Sequence, residues 1–272
     1  MNYLHSIADL FVRTKTGNIS ISIFYKIYEF LRYRRSLQEH SASTEKLQNL
    51  FNDLTVRAGF MKGLKYTSFL SHGSSIFPKL AGTYESELTD ILLQLVGNNY
   101  TNIIDVGCAE GFYAVGLAKR FKDTKVYAFD TSKTAQKLCR EMAELNNVSD
   151  RVEVENICTP NYLEFLVQGH RSLIICDCEG YERSLFNKES VASLMNSDLI
   201  IELHPMNEKN VKEYLHQLFA GTHKIQYVSS YDDIRKIFDL PDIYSKLSQL
   251  DKIKIVQEGR MFSMDWMILT TA

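Results

Sequence analysis

Proline and glycine are sparse: the 272-residue chain has four prolines and thirteen glycines, so no Pro/Gly-rich linker and no collagen-like tract divides it. Cysteine is also rare. Cys108, Cys139, Cys158, Cys176 and Cys178 are odd in number and lack Cys-x-x-Cys or Cys/His spacing, which argues against a disulfide framework or a structural zinc site. No apolar run reaches the roughly 18 residues of a membrane span, and the opening MNYLHSIADLF lacks the basic start and small-residue cleavage site of a secretory signal. One-sided charge is missing as well. With 31 Lys+Arg against 33 Asp+Glu, the formal net charge of -2 gives no overall field that draws the chain to phosphate polymers. The expectation is a soluble, cytoplasmic protein with no membrane span and no nucleic-acid partner.

What is present suffices for a large core, because 45% of residues are apolar and 24% charged. Residues 19–37 place Ile23, Phe24, Ile27, Phe30 and Leu31 on one helical stripe that ends in Arg32, Arg34 and Arg35. This amphipathic helix lies outside the later pattern. Residues 1–79 are therefore expected to form an N-terminal helical extension that docks on the main domain, covers a substrate or joins two copies as a homodimer. From about residue 84 the texture changes to short apolar runs separated by helical stretches. Strands are predicted over 102–107, 125–130, 151–157, 173–178, 198–204, 224–229 and 265–270, with helices between them. Continuously apolar strands such as LIIC suit a sheet covered on both faces. The predicted fold is α/β, a doubly wound, mostly parallel, Rossmann-like sheet of about seven strands over residues 80–272.

In such sheets ligands bind beyond the carboxyl ends of the strands, so the closing residues carry the information. The first strand closes as IIDVGCAEGF: Asp105 ends the apolar run, and Gly107, Ala109 and Gly111 form a Gly-x-Ala-x-Gly turn before a helix. Such a turn permits close approach of an anionic ligand to free helical N–H groups. It lacks the middle glycine of the Gly-x-Gly-x-x-Gly fingerprint of dinucleotide sites, which disfavours a nicotinamide enzyme. The second strand closes in Asp130 and Thr131, and a carboxylate there can accept both hydroxyls of a ribose. Helix capping is the other use for Asp130, although Thr131 and Ser132 are also able to cap. The third strand ends in Glu155, Asn156 and Ile157, a polar and apolar combination suited to the edge and face of adenine. Three consecutive strand ends thus describe a nucleoside site.

Together these segments resemble a class I S-adenosylmethionine-dependent methyltransferase. LIICDCEGYERSLF at 173–186 is similar to the Asp-x-Glu-Gly-x-Glu segment of the FkbM-type family, and DLIIELHP at 198–205 to its following Glu-x-His strand. LAGTYESEL at 80–88 resembles the family's entry segment, and EGR followed by MDWMILT its closing strand. The resemblance implies S-adenosylmethionine as cofactor, Tyr84 and Asp177 among its contacts, and O-methylation of a small-molecule hydroxyl, on a sugar or natural product. Cys108 and Glu110 depart from the family's usual glycine turn. The competing readings are a methyltransferase acting on a nucleic-acid or protein acceptor, and a catalytically silent cofactor-binding assembly protein.

Alternation puts Asp177 with Glu179 on one side, and Glu202 with His204 on one side of the neighbouring strand. A hydroxyl is a poor nucleophile until a base removes its proton or a cation stabilises its alkoxide. His204, Asp177 and Glu202 are accordingly the candidate catalytic residues, with His204 as base. The same three side chains also suit a divalent cation such as Mg2+. A purely structural hydrogen-bonded network is the third reading of the cluster.

Overall fold

The computed structural model describes residues 42–204, 211–260 and 263–271. The chain divides into two compact units, Met1–Thr44 and Glu45–Ala272, and the second contains the whole sheet. The stripe expected over 19–37, with the dimer role assigned to it, lies outside the described residues.

Seven strands form one sheet: β1 (Asn102–Val106), β2 (Lys125–Phe129), β3 (Val152–Glu155), β4 (Ser172–Cys176), β5 (Asp198–Leu203), β6 (His223–Ser229) and β7 (Asp265–Thr271). Each predicted strand is present, with ends shifted by one or two residues. The order is β3-β2-β1-β4-β5-β7-β6. Strands β1 to β5 pair in parallel, while β7 runs antiparallel between β5 and β6. The chain leaves β1 toward one edge and returns at β4 to build toward the other, so a crevice opens beyond the carboxyl ends of β1 and β4.

Burial explains the apolar strands. In β1, Ile103 packs into the core on one face and Ile104 into the core on the other, and the same alternation separates Ile175 from Ile174 in β4 and Ile200 from Ile201 in β5. Both faces are dry, so the period-two alternation is between two cores, and the middle of each strand is apolar on both sides, with polar residues at the strand ends. Helices Phe112–Arg120 and Lys133–Leu145 lie on the first face, Pro160–Val167 and Val211–Phe219 on the second. Leu47, Phe51, Val56, Phe60, Leu64 and Tyr66 are buried in the first core. The domain boundary expected at residue 79 therefore falls inside the second compact unit, because these side chains complete its packing.

The segment between β6 and β7 carries two short 3-10 turns, Arg235–Asp239 and Asp242–Tyr244, and the helix Gln249–Val256. Its Tyr244, Ile255 and Val256 are buried in the first core, as is Trp266 of β7. Of the segment closing on β7, Met264 and Trp266 are core residues; Met261 and Phe262 lie outside the described residues. Among the described residues no helix is long and apolar enough to cross a membrane.

Candidate active site

The turn after β1 is built on three left-handed residues, Gly107 (φ 91°), Ala109 (φ 48°) and Gly111 (φ 102°). Gly107 and Cys108 donate their N–H groups to Phe129 O at 2.8 and 2.9 Å, which binds the turn to the end of β2. A Cβ on Gly107 would lie 2.6 Å from the Asp177 carbonyl carbon and closer still to its oxygen. Glycine is thus required here so that the ends of β1 and β4 can meet. Gly111 precedes the helix Phe112–Arg120, whose first N–H groups face the turn.

Asp130 sits at the end of β2 with both carboxylate oxygens oriented by backbone donors: Ala109 N–H at 3.0 Å and Ser132 N–H at 2.8 Å. Each oxygen keeps a lone pair. Ser132, not Asp130, caps the helix Lys133–Leu145, so the capping use of Asp130 is absent. Gln136, which sequence reasoning misses, donates to Asp130 O at 2.6 Å and Asn156 Oδ1 at 3.3 Å and so ties the ends of β2 and β3 together. It is a buried polar residue within a helix, and that position carries no sequence signature of its own. Thr131, Asn156 and Ile157 are exposed along this edge. Tyr84 packs edge-on against Phe112 at 5.2 Å, beside the start of the helix that follows the glycine turn. Asp105 lies near the end of β1, buried, with Oδ2 unpartnered; burial pushes its pKa up to about 7.

Beyond β4 and β5, the predicted acidic side chains and histidine do converge. His204 Nε2 lies 3.4 Å from Asp177 Oδ1, 3.2 Å from Glu179 Oε2 and 3.4 Å from Glu202 Oε2. Its Nδ1 donates to Glu182 Oε1 at 2.8 Å, a residue whose role was not anticipated although it closes the DCEGYE segment. Glu179 takes φ 56°, as Glu85 and Ala109 also take left-handed backbone, so three such non-glycine residues border one crevice. Burial alone would depress the imidazole, but hydrogen bonds to Glu179, Glu182 and Glu202 and the charge of Asp177 hold its pKa well above the ordinary histidine range. Loss of water and the neighbouring Glu202 charge push Asp177 well above the carboxylate range.

Arg260 ties the far side of the cluster. It binds Glu202 through Nη1, Glu85 through Nη2 at 2.5 Å and Glu258 through Nε at 2.9 Å. Against the cost of burial, His204 and Arg260 hold Glu202 below its ordinary range. Glu85, buried beside Arg260 and bonded by Tyr113 Oη–H, is pushed up to about 7 by that burial. Glu258 also pairs with the buried Lys236, which faces Glu87 at 3.3 Å. A second buried pair, Lys79–Glu110 at 2.5 Å, anchors the loop before it: Glu110 accepts from Ser71 Oγ at 2.9 Å and His72 N at 3.0 Å.

The arrangement thus has a glycine turn, a ribose-type carboxylate and an acidic far side at one crevice of a 3-2-1-4-5-7-6 sheet with an antiparallel seventh strand. A family model described as the methyltransferase small domain matches residues 86–176, which run from the entry segment through β4. The chain has the class I S-adenosylmethionine-dependent methyltransferase fold. The cofactor of this fold is S-adenosylmethionine.

Over 70 residues the chain is 37% identical to the release factor glutamine methyltransferase of Dictyoglomus turgidum; the match covers 24% of this chain and 25% of that relative. The chain thus aligns with about a quarter of the relative's length. Among solved structures, a METTL16 methyltransferase domain is similar at TM-score 0.48 and 14% identity over 84% of this chain and 97% of that one. TrmN from Thermus thermophilus is similar at TM-score 0.44 and 13% identity, over 67% and 48% respectively. The relative found by sequence corrects the expected small-molecule hydroxyl acceptor and its O-methylation, because by name it modifies a glutamine of a protein. It likewise overturns the expected partner, a small-molecule hydroxyl acceptor, since the acceptor in that relative's name is a protein. The hydroxyl assignment rested on segment resemblance alone, and a methyltransferase fold does not fix its acceptor.

Proposed function

We propose that the chain transfers a methyl group from S-adenosylmethionine to a protein side chain that enters the crevice beyond β4 and β5. The observation that carries this reading is the 37% identity over 70 residues with a protein glutamine methyltransferase. Electrostatics favours the same class of acceptor. Asp177 and Glu179 are the accessible carboxylates of the acceptor side, Glu202 and Glu85 being buried and paired with Arg260, and a net charge of -2 gives the chain no overall basic field. Such a crevice repels a phosphate backbone and accepts a neutral amide or a cationic amine. The Asp-Cys-Glu-Gly-Tyr-Glu segment and the Glu-x-His strand support an FkbM-type layout of this acceptor side, without that family's small-molecule acceptors.

The cofactor supplies an electrophilic methyl on a sulfonium, which needs little leaving-group assistance. The residues present fit its nucleoside: Asp130 keeps a free lone pair on each oriented oxygen, and Asn156 and Ile157 are exposed at the next strand end. Asp130 would hold the ribose, Asn156 and Ile157 the adenine, and the helix start after Gly111 the carboxylate end. Tyr84, Asp105 and Thr131 border the same space. The protein's main work is then in-line positioning of the acceptor nitrogen, with Asp177, Glu202 and His204 holding its protons in place.

Incubating the protein with S-adenosylmethionine labelled in its methyl group and a cell extract tests the reading. Label that precipitates with acid and is released by protease but not by nuclease is expected. Label released by nuclease, or found only in acid-soluble small molecules, would overturn it.

A further inference from the structure

The surroundings of His204 are those of a metal ligand. Its Nδ1–H is spent on Glu182, which is buried at 1% exposure, and that bond aims Nε2 at Asp177, Glu179 and Glu202. A carboxylate that fixes one imidazole nitrogen so that the other faces a cation is a recurrent feature of metal sites. One Nε2–H cannot serve three carboxylates. The separations of 3.2 to 3.4 Å are also longer than the about 2.7–2.9 Å of a charge-assisted hydrogen bond, whereas the Glu182 contact at 2.8 Å is of that length. Adjacent donors of an octahedral cation bound at about 2.1 Å lie roughly 3 Å apart, close to the spacing seen. Oδ1 of Asp177 is itself buried and faces the same Nε2 at 3.4 Å.

We propose that Asp177, Glu179 and His204, with Oε2 of Glu202 at the margin, form a binding site for one divalent cation of hard character, Mn2+ or Mg2+. The three lead residues present one ligand atom each within 4.8 Å of one another. Arg260 occupies the other oxygen of Glu202, so Asp177 and Glu179 supply the charge that balances the ion. A donor set dominated by carboxylate oxygens selects Mn2+ or Mg2+ over zinc or copper. Glu182 is a positioning residue. The inference rests on the proposed function only for what the ion would do there, which is to fix the carboxylates around the acceptor.

Mn2+ binding to the full chain, without cofactor or acceptor, is measured from the loss of the free-ion electron paramagnetic resonance signal. One site per chain with a dissociation constant on the order of micromolar is expected. Glu179→Gln, at a half-exposed position that leaves the fold intact, should weaken it at least tenfold, and Mg2+ should compete. Glu182→Gln should weaken it about 10–100-fold. No binding up to millimolar Mn2+, or binding unchanged in both variants, would overturn the site. Because no methyl transfer is measured, this failure is distinct from a failure to label protein.

Discussion

Replacing Gly107 by alanine separates the two roles a glycine can have at a strand-to-helix turn. If the residue only clears space for a ligand, the variant folds normally and binds poorly. The structure predicts a damaged fold instead, because the added Cβ meets the Asp177 backbone, 2.6 Å from its carbonyl carbon, where no side-chain rotation relieves it. Left-handed backbone costs a non-glycine residue about 1–2 kcal/mol. Forcing the ends of β1 and β4 apart adds about 1–3 kcal/mol of overpacking and weakens the bonds Gly107 N–H to Phe129 O and Asp177 N–H to Val106 O, each worth about 1 kcal/mol. The total is roughly 3–6 kcal/mol, which at about 2–4 °C per kcal/mol lowers the melting temperature by about 6–24 °C. Gly63 supplies the control: its φ of 86° is nearly that of Gly107 at 91°, yet a Cβ added there meets nothing within 4 Å. Gly63→Ala should therefore lose only the backbone part, about 1–2 kcal/mol. Thermal melts followed by circular dichroism compare the two. Equal losses in both variants would refute the steric argument.

Arg260→Met should cost about 3–5 kcal/mol in urea denaturation, because it removes the cation shared by the buried Glu85, Glu202 and Glu258; Arg260→Lys should recover only part, as one ammonium cannot span three carboxylates. Ser132→Ala should remove about 1 kcal/mol by loss of the helix cap while leaving cofactor affinity unchanged, since the backbone donor to Asp130 survives. Asp105 makes stability pH-dependent with a definite sign. Its folded-state pKa of about 7 exceeds the unfolded value, so the native chain retains a proton that the unfolded chain loses, and this group's contribution falls as pH rises from about 4 through 7. Melting temperatures at pH 5.5 and 8 should therefore differ less in Asp105→Asn than in the wild type; an identical difference would exclude Asp105 as the source.

The strands are legible in the sequence because both faces of the sheet are dry. Runs such as Leu173–Cys176 have to be continuously apolar, and their ends are marked by the abrupt arrival of Asp105, Asp130 and Asp177. Alternation is enough to bring Glu202, His204, Asp177 and Glu179 together, since two adjacent parallel strands leave little freedom for residues at or just beyond their carboxyl ends. Partners distant in sequence are not legible in this way. Arg260 reaches Glu85 across 175 residues, and the motif letters of both segments are visible without anything to say that they touch. The basicity of His204 escapes a sequence reading for the same reason: an isolated histidine titrates near neutrality, and only the fold supplies the carboxylates that raise its pKa. Residues 45–79 look unpatterned because their apolar side chains fill gaps on an existing core, and helical periodicity covers only part of that segment.

Cofactor binding at the end of β2 is tested most directly by isothermal titration of S-adenosylhomocysteine into the wild type and into Asp130→Ala, with circular dichroism confirming that the variant is folded. Binding of the wild type at micromolar order and a loss of at least tenfold in the variant are expected, because two hydrogen bonds to a charged acceptor are worth about 2–4 kcal/mol. Equal affinities in the two proteins, or no binding by the folded wild type, would contradict the assignment of this crevice as the S-adenosylmethionine site.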